Sequence, residues 1–424
     1  VVFGLVPALH ASRLELHETL KEGGRSGSGD ARRARTRAAL VVAETAVAMV
    51  LLVGAGLLVK SFARLVNTDP GFRVEHELSA TVDLPAGTYG TPEKQTAFYQ
   101  GLEARVRTLP GVLGAGAVTG LPLGGFGARL GFQVQGTPPP PAGEGQAVDY
   151  DVATPGYFDA IGIPLRRGRG FTAADTRSTG GVLLINEAMA HRYFANRDPV
   201  GQRMRLTDAD TTWREIIGVV GSVRRQGLGT EAAPAVFASQ LQQPSPRLTL
   251  VVRTAGDPAA VTAALRREVT ALDPRLALGD VRTLQDVVSE SVASPRLNVL
   301  LLGVFAGIGI VLAAIGLYGV ISYSVASRRQ EIGIRMALGA RPLDVVAMVV
   351  RQGMGMTGGG LLLGLVGAFA ATRVLRSLLV GVSATDPAVF VAVPLVLAAV
   401  ALAASWLPGR RATRVDPMVA LRSD

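Results

Sequence analysis

Four apolar stretches punctuate the chain, at 38–60, 297–325, part of 345–380, and 389–407. A bilayer's hydrocarbon core is crossed by about 20 apolar residues rising 1.5 Å each in a helix. Each stretch therefore predicts a transmembrane helix. Between the first and second lies a polar block, 61–296, long enough to bury a core of its own. Inside it, alternation and short apolar runs predict strands at 78–84, 115–119, 182–186, 216–223 and 248–253, and helical spacing predicts helices at 92–109, 187–194, 258–272 and 284–292. Strands separated by helices point to layered packing, ferredoxin-like for part of the block. Four consecutive prolines at 138–141 break any element there. The expected fold is an α-helical membrane protein with four transmembrane helices and a large α+β domain inserted between helices one and two.

Composition agrees with this division. A mean hydropathy of +0.33 with 18% charged residues is too apolar for a wholly soluble chain and too polar for a wholly embedded one. The arginines orient the helices. Arg32, Arg33, Arg35 and Arg37 precede helix one, Arg328, Arg329, Arg335 and Arg341 separate helices two and three, and Arg410, Arg411 and Arg414 follow helix four. By the positive-inside rule these clusters are cytoplasmic and the block 61–296 lies on the far side. The net charge of +10 does not mark a nucleic-acid binder, because its arginines flank apolar spans and lack interleaved aromatics.

The chemistry of catalysis is thin. With no cysteine and four scattered histidines, the sequence presents no thiol nucleophile and no metal-ligand spacing. The run 54–61, GAGLLVKS, imitates a phosphate loop, but Val59 stands where glycine is needed and the run lies in an apolar span. GFGARLG at 125–131 has the wrong glycine spacing for a dinucleotide fold and reads as a loop. We expect no enzymatic activity and no cofactor in this chain.

The two ends echo each other. PALHASRLELHETLK from Pro7 and PGRRATRVDPMVALR from Pro408 share proline, alanine, arginine and leucine at matching offsets. One reading is a duplication, in which 1–22 is the cytoplasmic tail of an upstream unit and 23–37 a flexible basic linker. The other is a chance match of two basic tails. Within the spans, Gly303 with Gly307 and Gly360 with Gly364 permit close helix approach, inside one unit or between two. Glu44 and Arg351 fall at similar depth and either pair or reach the headgroups separately.

The segment 328–341, RRQEIGIRMALGAR, is a short basic connection between two long apolar spans. It reads either as a solvated turn or as an amphipathic helix offering Ile332, Ile334, Met336 and Leu338 to a partner groove. Glu331 and Arg335 stand one turn apart in that helix, and Gly339 suits its C-terminal cap. This loop, with GLYGVISYSVA at 316–326, the ending LPGRRATRVDPMVALR at 407–422, and TPGYFDAIGIPLRRGRGF at 154–171, NEAMAHRYF at 186–194 and DPVGQRMR at 198–205, resembles the FtsX-like permeases of the MacB type. It is most similar to the C-terminal half of the duplicated orphan permeases of acidobacteria. The resemblance implies a periplasmic core domain at 61–296 and an FtsX-like permease domain at 297–424, in a bacterial inner membrane. It also implies a second permease unit, surrounding lipid, and a separate ABC ATPase subunit that binds ATP and contacts the coupling loop through Glu331, Ile332, Ile334, Arg335, Met336 and Gly339. Two roles follow from it: export or extraction of a substrate, or mechanical signalling to an extracytoplasmic partner such as a cell-wall hydrolase.

Overall fold

The computed structural model describes residues 28–124, 127–137, 146–207 and 210–413. The echo at 1–22, the linker before Ser28, the prolines at 138–141 and the basic ending from Arg414 lie outside the described residues. The chain divides at Ser61/Phe62 and Leu297/Asn298 into a helical unit and an inserted unit.

In the inserted unit, β1 (Glu77–Asp83), α2 (Ala86–Tyr89), α3 (Pro92–Arg107) and β2 (Val112–Val118) open a layer that is finished much later by β10 (Arg247–Thr254), α6 (Thr262–Leu272) and β11 (Gly279–Thr283). The strands lie in the order β11-β1-β10-β2 with every neighbouring pair antiparallel. This is the βαβ-βαβ arrangement of a ferredoxin-like layer. Leu78, Ala80 and Val82 alternate on the inner face of β1, and Leu248, Leu250 and Val252 do so on β10. They pack against Phe98, Leu102 and Val106 of α3 and Leu265 and Val269 of α6. Tyr99 locks the layer: its phenol donates toward the Val82 and Pro246 carbonyls and accepts from the Leu248 N–H, each at 3.0 Å.

The segment between β2 and β10 builds a second layer from β3 (Ala128–Val134), β4 (Ala147–Ala153), α4 (Tyr157–Ile161), β5 (Leu165–Gly168), β6 (Val182–Asn186), α5 (Glu187–Tyr193), β7 (Arg203–Leu206), β8 (Asp210–Val220) and β9 (Ala235–Ser239). Pairing runs β4-β3-β7-β8-β6-β9 and returns from β9 to β4, closing a six-stranded circuit. Closure pairs each of these six strands on both sides among the described residues, while β5 lies off the circuit and pairs with β8 alone. Phe132, Val148, Leu183, Ile185, Met204 and Ile216 fill one side of these strands, while Leu184, Ile217 and Phe237 join Tyr157 and Phe158 on the other. β6 and β9 are thus buried on both faces, which is why they read as continuous apolar runs. A last helix, α7 (Leu284–Ser291), is capped by Thr283, whose hydroxyl accepts from the Asp286 N–H.

The expected strands at 78–84, 182–186 and 248–253 and the expected helices are present within two residues, except that 258–261 is a 3-10 turn leading into α6. The loop expected at 125–131 is corrected: from Ala128 the chain is β3, because Leu130, Phe132 and Val134 alternate on one face and the strand is paired on both sides.

The helical unit comprises α1 (Ser28–Val66), α8 (Ala293–Ser327), α9 (Arg329–Ala337), α10 (Pro342–Leu375) and α11 (Pro387–Ala412). All but α9 are long and apolar enough to cross a membrane. Helix α1 begins at Ser28, inside the region expected to be a linker, since Ala and Arg are strong helix formers and the run 31–39 holds little else. Tyr99→Phe should lower the unfolding free energy of the inserted unit by about 1–3 kcal/mol, because it orphans the buried Leu248 N–H. An unchanged denaturation midpoint would contradict the lock.

Candidate functional site

Helix α9 is held on one side and bare on the other. Ile332 is 5% exposed and packs with Val345 of α10 and Ala412 of α11, with Val325, Met336 and Met348 around them. Ile334 and Leu338, one turn apart, are 44% and 83% exposed, and Leu343 at the start of α10 is 77% exposed. The apolar residues expected to face a partner are therefore split: Ile332 and Met336 face their own fold, and Ile334 and Leu338 face outward. Glu331 and Arg335 pair at 2.6 Å, and Arg335 donates to Met348 Sδ at 3.1 Å.

Gly339 takes φ +96° after the helix. Its N–H donates to the Met336 carbonyl and the Ala340 N–H to the Arg335 carbonyl. These are the two bonds of a Schellman stop, and the left-handed φ is the reason a glycine stands there. Nearby, the Arg37 guanidinium lies 4.0 Å above the Tyr323 ring, and Arg411 donates to the Tyr318 hydroxyl at 2.7 Å. Both contacts tie the arginine-rich helix ends together.

Within the spans, α1 and α10 meet along glycines. A Cβ on Gly360 would lie 2.6 Å from Thr45 Cβ, and one on Gly364 would lie 2.5 Å from Met49 Cβ. Gly303 and Gly307 of α8 meet nothing within 4 Å, so of the two glycine pairs only Gly360 and Gly364 serve packing inside this chain. Of the two readings for Glu44 and Arg351, the pair does not form among the described residues. Glu44 is turned onto Gly316 of α8, whereas Arg351 is exposed and lies off the buried stripe of α10, which runs through Val349 and Gly353.

A different pair closes the opposite end. Lys60 Nζ lies 2.5 Å from Asp386 Oδ2, and Asp386 also caps α11 by accepting from the Ala388 and Val389 N–H groups. Beside it the Ser61 hydroxyl accepts from the Val380 N–H at 2.7 Å. The sequence places both groups on one side of the membrane, Lys60 at the end of the first apolar span and Asp386 in the short connection, but does not say that they meet. The imitation phosphate loop 54–61 is continuous helix within α1, with Gly54 against Leu302 and Leu375.

Known proteins share this plan. The MacB-like periplasmic core domain model matches residues 36–271, more than half of the chain, and the FtsX-like permease C-terminal model matches 303–417. The chain belongs to the MacB-type permeases. Two curated relatives are the macrolide export ATP-binding/permease protein MacB of Azoarcus sp. strain BH72, 27% identical over 63% of this chain and 41% of its own length, and the pyoverdine export ATP-binding/permease protein PvdT of Pseudomonas syringae pv. tomato, 27% identical over 63% of this chain and 42% of its own. The permease spans about two fifths of the length of these relatives. The crystallised periplasmic region of MacB from Actinobacillus actinomycetemcomitans is 13% identical, over 54% of this chain and 97% of its own, with a TM-score of 0.36. The permease is a multi-pass protein of the bacterial inner membrane with its core domain in the periplasm.

One buried ionisable group stands out in the permease's core domain. Glu77, at the start of β1, is fully buried with neither carboxylate oxygen hydrogen-bonded among the described residues. Burial pushes its carboxyl up to about 8, against the opposing pull of Arg253 and Arg73.

Two outcomes are expected. Gly364→Ala should destabilise the detergent-solubilised permease, by about 1–3 kcal/mol of overpacking. Gly307→Ala should be neutral or stabilising, since helix propensity favours alanine and nothing opposes the new methyl. Equal melting temperatures for the two variants would refute the seam. For Glu77, the folded carboxyl keeps its proton to about 8 while the unfolded one releases it near 4.5. The neutral form's contribution is complete below the lower value and is lost as pH rises through the upper one. Stability of the wild type should therefore fall between those pH values, and Glu77→Gln should flatten that fall; parallel pH profiles would exclude it.

Proposed function

We propose that this chain is the permease subunit of an exporter in which a separate ABC ATPase, binding ATP in the cytoplasm, seats against α9 and moves the periplasmic core domain. The observation that carries this reading is the two-sided helix α9. Its outer residues, Ile334, Leu338 and the neighbouring Leu343, are large apolar side chains exposed on a short cytoplasmic connection, where a partner groove would bury them. Its inner residues, Ile332 and Met336, are packed onto α10 and α11, so a displacement of α9 is handed to both helices. The Glu331–Arg335 pair and the Gly339 stop hold the helix in one length and register.

The cargo of such a subunit is a substrate taken up on the periplasmic side, as the export named for the relatives suggests. Helix α8 presents Leu301, Val304, Phe305, Ile308, Val311 and Ile315 outward, and open Gly303 and Gly307 among them. Lipid and a second permease unit are the surroundings that suit this face.

Leu338→Asp should reduce by about tenfold or more the ABC ATPase that co-purifies with the full protein from native membranes, as loss of a buried apolar anchor does, while leaving its melting temperature unchanged. Ile332→Ala should instead lower stability by about 2–5 kcal/mol as a core truncation. Undiminished ATPase capture by Leu338→Asp would exclude α9 as the contact.

A further inference from the structure

The core domain carries a cleft of about 580 Å³ into which three arginines converge, Arg73, Arg107 and Arg253, with Asp159 as the one acidic residue lining it. Its floor is β2, from Leu113 to Ala115, and its wall is α4 with the turn that follows. The size falls in the range of small-molecule sites.

Each arginine side chain passes over a glycine, Arg107 and Arg253 with the guanidinium and Arg73 with its stem. A Cβ on Gly156 would lie 1.9 Å from Arg107 Nη2, and a Cβ on Gly162 would lie 2.7 Å from Arg73 Cγ. A Cβ on Gly114 would lie 3.6 Å from Arg253 Nη2. Gly162 also has φ +78°. A side chain at Gly156 would meet Arg107, Glu103 and the Ala115 carbonyl, and one at Gly162 would meet Arg73 in a left-handed backbone that favours glycine.

The charges are incompletely answered by the protein. Arg107 is held by Glu103 at 2.5 Å and by the Ala115 carbonyl at 3.0 Å through Nη2. Arg253 reaches only the backbone carbonyls of Asp159 and Leu113, at 3.4 and 3.3 Å, and its buried Nε has no partner among the described residues. No ion pair of Arg73 or Arg253 is found among the described residues. Glu77, opposite Arg253 in the β1–β10 register, forms no hydrogen bond to either.

We infer that this cleft is a periplasmic binding site for a ligand bearing a phosphate group. Guanidinium forks pair bidentately with phosphate oxygens, and a tetrahedral phosphate can accept from three sides where a carboxylate offers two oxygens in one plane. The same group occurs on a soluble phosphorylated molecule and on a phospholipid headgroup. The inference stands apart from the ATPase contact at α9 and does not rest on it.

The test is calorimetric titration of the full chain in detergent with two probes, inorganic phosphate and glycerophosphoglycerol, the water-soluble headgroup of phosphatidylglycerol. At least one should bind saturably: phosphate alone identifies a soluble ligand, and the headgroup alone identifies a lipid. Arg73 is exposed and its one fold bond, to the Ile161 carbonyl, is made by its backbone N–H, so Arg73→Gln should keep the wild-type melting temperature while weakening binding about tenfold or more. Gly162→Ala should weaken it likewise by displacing Arg73. Arg177→Gln, which alters an exposed arginine outside the cleft, should change nothing. Absence of saturable binding by both probes, or binding unaltered in both Arg73→Gln and Gly162→Ala, would overturn the assignment.

Discussion

The helical unit depends on the close approach of α1 and α10 at Gly360 and Gly364. Between helices in lipid there is no hydrophobic force, since hydrocarbon chains solvate leucine as well as another helix does; dispersion contacts at short range take its place. Two missing side chains on α10 let Thr45 and Met49 of α1 come within reach of its backbone. Met49, Val53 and Leu57 are consequently fully buried, and α1 becomes the helix around which the others gather. The ends are then secured by polar contacts that lipid would not compete for: Lys60 with Asp386 on the periplasmic side, Arg37 with Tyr323 and Arg411 with Tyr318 on the cytoplasmic side.

On such a scaffold α9 has a defined mechanical role in the proposed exporter. A short helix with one face in solvent would ordinarily fray, because few of its backbone bonds are shielded. Here Ile332 anchors it to α10 and α11, and the Gly339 stop satisfies its last carbonyls. The helix is therefore packed as part of the bundle. The same logic of glycines making room recurs in the core domain, where Gly156 and Gly162 seat arginines in place of a neighbouring helix.

Legibility followed the strength of local pattern. Elements with clean periodicity, α3, β1 and β10, stood out because their apolar positions recur at the spacing of the face they bury. The strands β3, β4, β7 and β9 did not. Their apolar positions are interrupted, β3 by glycine and β4 by aspartate, and they are strands because each is hydrogen-bonded to neighbours elsewhere in the chain. Helix α9 was legible as an element, but its inward and outward residues were not. Ile332 and Ile334 are chemically identical, and only the positions of Val345 and Ala412 decide which is covered.

What the sequence determined by itself was where the chain crosses the membrane, which side the arginines occupy, and that a folded domain interrupts the helices. Each follows from the free energy of transferring local groups between water and hydrocarbon, which needs no knowledge of neighbours. Tertiary structure alone decided which glycines are contacts, that Lys60 and not Arg351 finds an acidic partner, and that Arg73, Arg107 and Arg253 share one cleft. Those outcomes depend on distances between residues far apart in the chain, and a distance of that kind is set by packing, which no local pattern encodes.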